Sequence, residues 1–157
     1  METRTFIIAT NGRLKWWLQH TLEYLSPEQL DYRTPLIDDR PIAEVAMHAA
    51  VILLGNALVA AGKHWELRDY PLDGWPPRLT RPTSAGELVA TLDTLLTQVD
   101  EVVSGLSESD LDKEVTFPWG QQQAGDALSA ALTHALTHAG GIAGIRGIGG
   151  FPVPPGY

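Results

Sequence analysis

The sequence predicts an all-α fold, a four-helix bundle with long irregular linkers. Four segments of roughly twenty residues read as helices, two with apolar residues at helical spacing, one apolar nearly all round and one rich in Ala and Gly. Their ends carry residues that start and stop helices. The 157 residues suit one domain spanning 1–157, because single domains typically run to ~100–200 residues. A chain of this size buries a core without disulfides.

The first helix is expected over roughly residues 5–25, where Leu14, Trp17, Leu18, Leu22 and Leu25 fall at helical spacing. Asn11-Gly12 opposes it, since that pair favours turns. Either the helix begins after the pair or tertiary packing overrides it. Ser26-Pro27 marks the end of the segment.

The second helix is expected from Pro41, a residue favoured at the first helical position, with Asp39 or Arg40 as its cap. It runs to a stop at Gly62. Residues 42–62 are apolar nearly all round and about long enough to cross a bilayer. Glu44, His48, Asn56 and the many alanines favour a buried helix of a soluble bundle instead. Covering both of its sides suggests a partner subunit, and hence a homodimer.

Residues 63–83 form a linker with prolines and three large aromatics, Trp65, Tyr70 and Trp75. Linkers this long tend to be functional or disordered, and the aromatics argue against disorder. They either pack over a bundle end or line a pocket. Ser84 and Glu87 open the third helix in a capping-box pattern, and Leu88, Leu92, Leu95, Val99, Val102 and Leu106 trace its apolar stripe. Ser107 to Leu111 reads as an extra turn. Residues 112–125 read as extended and looped, with Pro118 and Gly120 breaking any regular element. The fourth helix covers about Asp126 to Ile148, rich in Ala and Gly so that neighbouring backbones can come close. The tail FPVPPGY is too rich in proline for a helix and is expected along the surface.

Composition excludes several function classes. With no cysteine, the chain has no thiolate metal site, cysteine nucleophile or disulfide. The formal charge of −8, with 11 basic residues scattered along the chain, leaves no basic stripe for nucleic acid. The start Met1-Glu2-Thr3-Arg4 lacks a signal-peptide layout, and the expected location is the cytoplasm.

Histidines carry the chemistry. His134 and His138 are four apart, which puts both imidazoles on one face of the fourth helix. Two nitrogens presented this way bind a metal in HExxH helices, although Ala-Leu-Thr intervenes here. His48 is the candidate third ligand, since an imidazole among Val45, Ala46, Met47, Ala49, Val51 and Ile52 needs a polar partner. Three neutral imidazoles with open positions suit a catalytic divalent-metal site. The alternatives are a hydrogen-bonded core histidine for His48 and a solvated polar pair for the other two. Glu44, one turn before His48, is a candidate fourth ligand or supporting partner, or merely a favourable charge near a helix start. His20, beside Trp16 and Trp17, either reaches the same cleft or lies on the surface. His64 follows the second helix's end, where positive charge is favoured.

Three stretches together resemble the DinB-like superfamily: LSPEQLDYRTP, AEVAMHAAVILLG, and FPWGQQQAGDALSAALTHALTHAGGIAGIRGIGG. The last resembles the family's H-x-x-x-H-x-G-Q-I ending. The resemblance implies a four-helix bundle with one divalent ion, zinc or nickel foremost, held by His48, His134 and His138. One departure stands out: Gly141 occupies the place of the family's glutamine. The family includes thiol-dependent transferases and the metal-binding domain of mycothiol-dependent maleylpyruvate isomerase. It therefore implies a transferase or isomerase acting on a small molecule with a low-molecular-weight thiol. A metal-dependent hydrolase and a non-catalytic stress-related binding module are the alternatives.

Overall fold

The computed structural model describes residues 2–65, 75–77, 79–117 and 120–152. The expected all-α bundle is present. Its four long helices are α1 (Thr3–Leu22), α3 (Ile42–Ala60), α4 (Ala85–Ser104) and α6 (Ala124–Gly149). Two single turns, α2 (Pro27–Leu30) and α5 (Glu108–Leu111), and a hairpin of β1 (Glu114–Phe117) and β2 (Gly120–Gln123) complete it. α3 packs on α4 and α6, and α1 packs on the same two helices from the opposite corner.

Packing overrides the turn preference of Asn11-Gly12. Asn11 is fully buried in α1, and its side-chain amide donates to the Leu96 carbonyl and to Asp100 Oδ1, both at 2.8 Å. Lys15 adds a bond to Asp100 Oδ2 at 2.8 Å. These bonds satisfy a buried amide on a neighbouring helix and outweigh the local preference. Ser26 begins an element rather than ending one: its side chain accepts from the Gln29 amide, and Gln29 answers through the Ser26 amide, a complete capping box for α2.

α3 begins one residue later than expected, with Pro41 itself at the cap position and no side-chain cap. Asp38 is engaged elsewhere and Asp39 makes no cap. The helix stops at Ala61-Gly62 as expected. It is the one described helix long and apolar enough to cross a bilayer, but 78% of its most apolar stretch is buried within the bundle. α4, α6 and β1 contact it, and Trp65 closes onto Gly55, so its apolar surface is covered by its own chain. That cover removes the reason for placing a partner subunit against α3.

The capping pattern of α4 forms in part. Ser84 Oγ accepts from the Glu87 amide at 3.2 Å, while Glu87 turns to the Thr83 amide and hydroxyl. The buried stripe runs Leu88, Leu92, Leu95, Leu96, Val99 and Val103, with Val102 at its edge. The extra turn after Ser107 is α5, closed by its own capping box with Asp110. The extended segment is a true antiparallel hairpin in which Glu114 faces Gln123 and Phe117 faces Gly120. Gly120 opens the second strand of the pair rather than breaking a regular element, and Pro118 lies outside the described residues.

α6 ends beside α1's C-terminus. Its Arg146, only 2% exposed, donates through Nη1 to the carbonyls of Thr21 at 2.6 Å and Glu23 at 3.0 Å. A buried cation thus meets the negative end of the α1 dipole and the carbonyls left open where that helix stops. Phe151 follows, edge-on to Tyr32 at 4.9 Å, so the tail starts along the surface; residues 153–157 lie outside the described residues.

Candidate metal centre

Helices α3 and α6 bring the three predicted histidines together. His48 comes from the middle of α3, and the i,i+4 spacing of α6 presents His134 and His138 toward it. Small residues of α6 nearby, Ala131 and Ala135, are buried and let the two helices approach. The Nε2 atoms of His48 and His134 are 3.0 Å apart, and those of His138 and His134 are 3.1 Å apart. The rings stand edge-on to one another, at 67° to 89°, with centroids 4.4 to 5.2 Å apart.

This arrangement fits a divalent cation. An imidazole nitrogen carries either one lone pair or one N–H, so His134 Nε2 cannot form two hydrogen bonds in its ring plane. It nevertheless has a nitrogen neighbour on each side. Nitrogens each about 2.0–2.1 Å from one ion lie ~2.9–3.4 Å apart, which matches both spacings. Among the described residues these three are the group able to hold an ion.

The electrostatics favour the neutral, ligating form. Burial pushes the His138 imidazole down to about 4, and the charges of His134 and Arg40 add to it, while Asp38 opposes. Partial desolvation, then Arg40, lowers His134. Neutral imidazoles are what a metal requires.

A cavity of about 760 Å³ opens over the cluster. Ile52, Ala127, Ala130 and Ala131 supply its apolar wall, and Asn56, Gln122, Asp38, Asp39 and Arg40 its polar groups. Small-molecule sites span ~300–1,000 Å³ with this mixture of lining. Asp38 is gripped by Arg40: the backbone amide and Nε donate to Oδ1 at 3.0 Å each, and Nη2 donates to Oδ2 at 2.7 Å. That grip holds the Asp38 carboxyl below the usual carboxylate range.

The other candidates stand apart. Glu44 pairs with Arg81 at 3.2 Å, and Arg81 also reaches Asp31. Glu44 is therefore not among the clustered ligands: it is engaged by Arg81, which does not line the cavity. His20 stacks on Trp16 with centroids 4.1 Å apart, and its Nδ1 lies 3.1 Å from the Trp16 carbonyl, outside the cavity. His64 is exposed beyond α3. Trp65 packs on α3, and Trp75 donates to the Leu79 carbonyl at 2.7 Å; neither lines the cavity. Tyr70 lies outside the described residues. Asp38, Arg40, Asn56 and Gln122 are site residues that helical patterning does not find. The acid and base two positions apart, just ahead of a helix start, were the available signal for the first two.

Fold and site define a helical-bundle protein with a three-histidine cluster suited to a metal ion. The chain belongs to the DinB superfamily, whose sequence profile matches residues 17–142. Two solved structures are similar over nearly their whole length. A DinB-like protein from Bacillus cereus has a TM-score of 0.71 at 20% identity, covering 96% of this chain and 95% of that one. Another from Bacillus subtilis has a TM-score of 0.69 at 17% identity, covering 94% and 95%. No curated protein matches the chain. Ile37 packs over Gly141, where a Cβ would lie 3.6 Å from Ile37 Cγ2.

Proposed function

We propose that this protein is a cytoplasmic DinB-family enzyme that holds one divalent ion, zinc or nickel, with His48, His134 and His138, and acts on a small molecule with a low-molecular-weight thiol. The observation that carries the reading is the clustered histidine nitrogens at the base of a cavity of small-molecule size. When bound, such an ion supplies Lewis acidity and lowers the pKa of a coordinated thiol. The protein's own groups do the rest. Ile52 and the three alanines keep water from the apolar part of a ligand, while Asn56 and Gln122 offer amides for orienting it. The thiol must be supplied by a second molecule, because the chain has no cysteine.

A hydrolase is the competing reading. It needs a base whose pKa lies near the working pH. Asp38, whose carboxylate lies 3.8 Å from His138 Nδ1, is held low by Arg40 and is a weak base, which favours the thiol reading. Elemental analysis of untagged protein tests the ion. Thiol titration of cobalt-loaded protein tests the chemistry, since sulfur coordination gives a charge-transfer band. No band with any thiol, alongside metal-dependent ester or amide turnover, favours the hydrolase; no band and no turnover favours a binding module. The proposed homodimer now rests on the exposed small residues of α6, and a monomer by light scattering at micromolar concentration overturns it.

A further inference from the structure

We infer that Asp38 is a positioning residue for His138, selecting the imidazole tautomer that turns the Nε2 lone pair toward His48 and His134. The inference rests on the three-histidine metal reading and extends it to a residue outside the ligand set. A neutral imidazole carries one proton, on Nδ1 or on Nε2. In His138 the Nε2 atom faces His134 Nε2 at 3.1 Å, and Nδ1 faces Asp38 Oδ2 at 3.8 Å. With the proton on Nε2, the Nδ1 lone pair would point at a carboxylate and be repelled. With the proton on Nδ1, the carboxylate attracts it and Nε2 is left free to ligate. Carboxylates behind ligating histidines act in this way.

Two features hold Asp38 in that place. Arg40 fixes both of its oxygens and keeps it anionic, and it is outside the group of atoms that could share an ion. Ile37, in the loop carrying it, rests on α6 at Gly141 and Gly144. A Cβ on Gly144 would sit 2.7 Å from Ile37 Cδ1, so the isoleucine occupies space that any other residue would fill. Behind it, the Asp38 amide donates to the Thr34 carbonyl at 3.2 Å and closes the loop. The carboxylate and the imidazole are both largely shielded, with side chains 14% and 16% exposed, so water screens their interaction little.

The experiment uses the full chain, with and without zinc. Long-range nitrogen NMR of the metal-free protein at pH 7.5 should find His138 protonated on Nδ1, and Asp38→Asn should shift it toward the other tautomer. Chelator competition should give a zinc Kd raised about 10–100-fold in Asp38→Asn. Asp93→Asn, the same charge change on an exposed part of α4, should stay within about twofold. Asp38→Ala, which removes the carboxylate without placing an amide beside the ring, should move both readouts in the direction of Asp38→Asn and carries the test if that variant fails to fold. Wild-type tautomer and wild-type Kd in folded Asp38→Asn would overturn the inference. Absence of zinc binding by the wild type would instead overturn the metal reading, and the tautomer comparison would then decide the role of Asp38 alone.

Discussion

The indole of Trp65 lies flat against the backbone of Gly55, so closely that a Cβ at residue 55 would come within 2.6 Å of Cδ2 and 2.7 Å of Cζ2. Elsewhere in a helix, replacing Gly by Ala stabilises by ~0.5–1 kcal/mol. Here the sign reverses. Gly55→Ala should destabilise by about 1–3 kcal/mol, the usual cost of overpacking. A thermal melt followed by circular dichroism checks it, and an unchanged or raised Tm contradicts the packing described.

Arg146→Met should cost about 2–4 kcal/mol, because it leaves the Thr21 and Glu23 carbonyls unmet at a buried helix end. Arg146→Lys should recover part of the loss, since it keeps the charge near the helix terminus but not the guanidinium's reach. Urea unfolding midpoints of the three proteins report the order.

One equivalent of zinc should bind per wild-type chain, and each of His48→Ala, His134→Ala and His138→Ala should raise its Kd by at least about 100-fold. Calorimetric titration measures this. Stoichiometric metal kept by the triple variant would count decisively against the site.

The metal-free protein should lose stability in acid through His138. Its folded pKa, pushed down to about 4, lies below the ordinary value of ~6.5 of an unfolded chain. Between those two values the unfolded chain binds more protons. The stability associated with this group is therefore fully present above about pH 6.5 and is lost as pH falls toward about 4. Urea midpoints at pH 7.5, 5.5 and 4.5 should fall more steeply in wild type than in His138→Gln. Equal slopes would contradict the burial of this imidazole.

How legible was this in the sequence? The four long helices were: α1 and α4 by apolar residues at helical spacing, α3 by a nearly unbroken apolar run between Pro41 and Gly62, and α6 by its Ala-rich run. α3 was legible even as a core helix, and the i,i+4 pair His134/His138 fixed two corners of the site. Local reading failed where a distant partner decides. Asn11 looks like a turn residue until Leu96 and Asp100 accept its amide hydrogens. Glu44 looks like a ligand until Arg81 takes it. Asp38 looks like a loop acid until the fold sets its carboxylate 3.8 Å from His138 Nδ1. The hairpin was hidden because β2, Gly120–Gln123, has none of the alternation that marks a half-buried strand.

The clasp between Arg146 and Thr21 joins positions 125 residues apart. During synthesis, α1 leaves the ribosome well before α6 and waits for almost the last turn of that helix before its open end meets Arg146. His48 likewise waits 86 residues for His134. A nascent chain stalled anywhere before α6 therefore lacks both the clasp on the end of α1 and the assembled histidine cluster. On the proposed metal reading, ion capture is then a late event, open only to molecules in which α3 and α6 have already met.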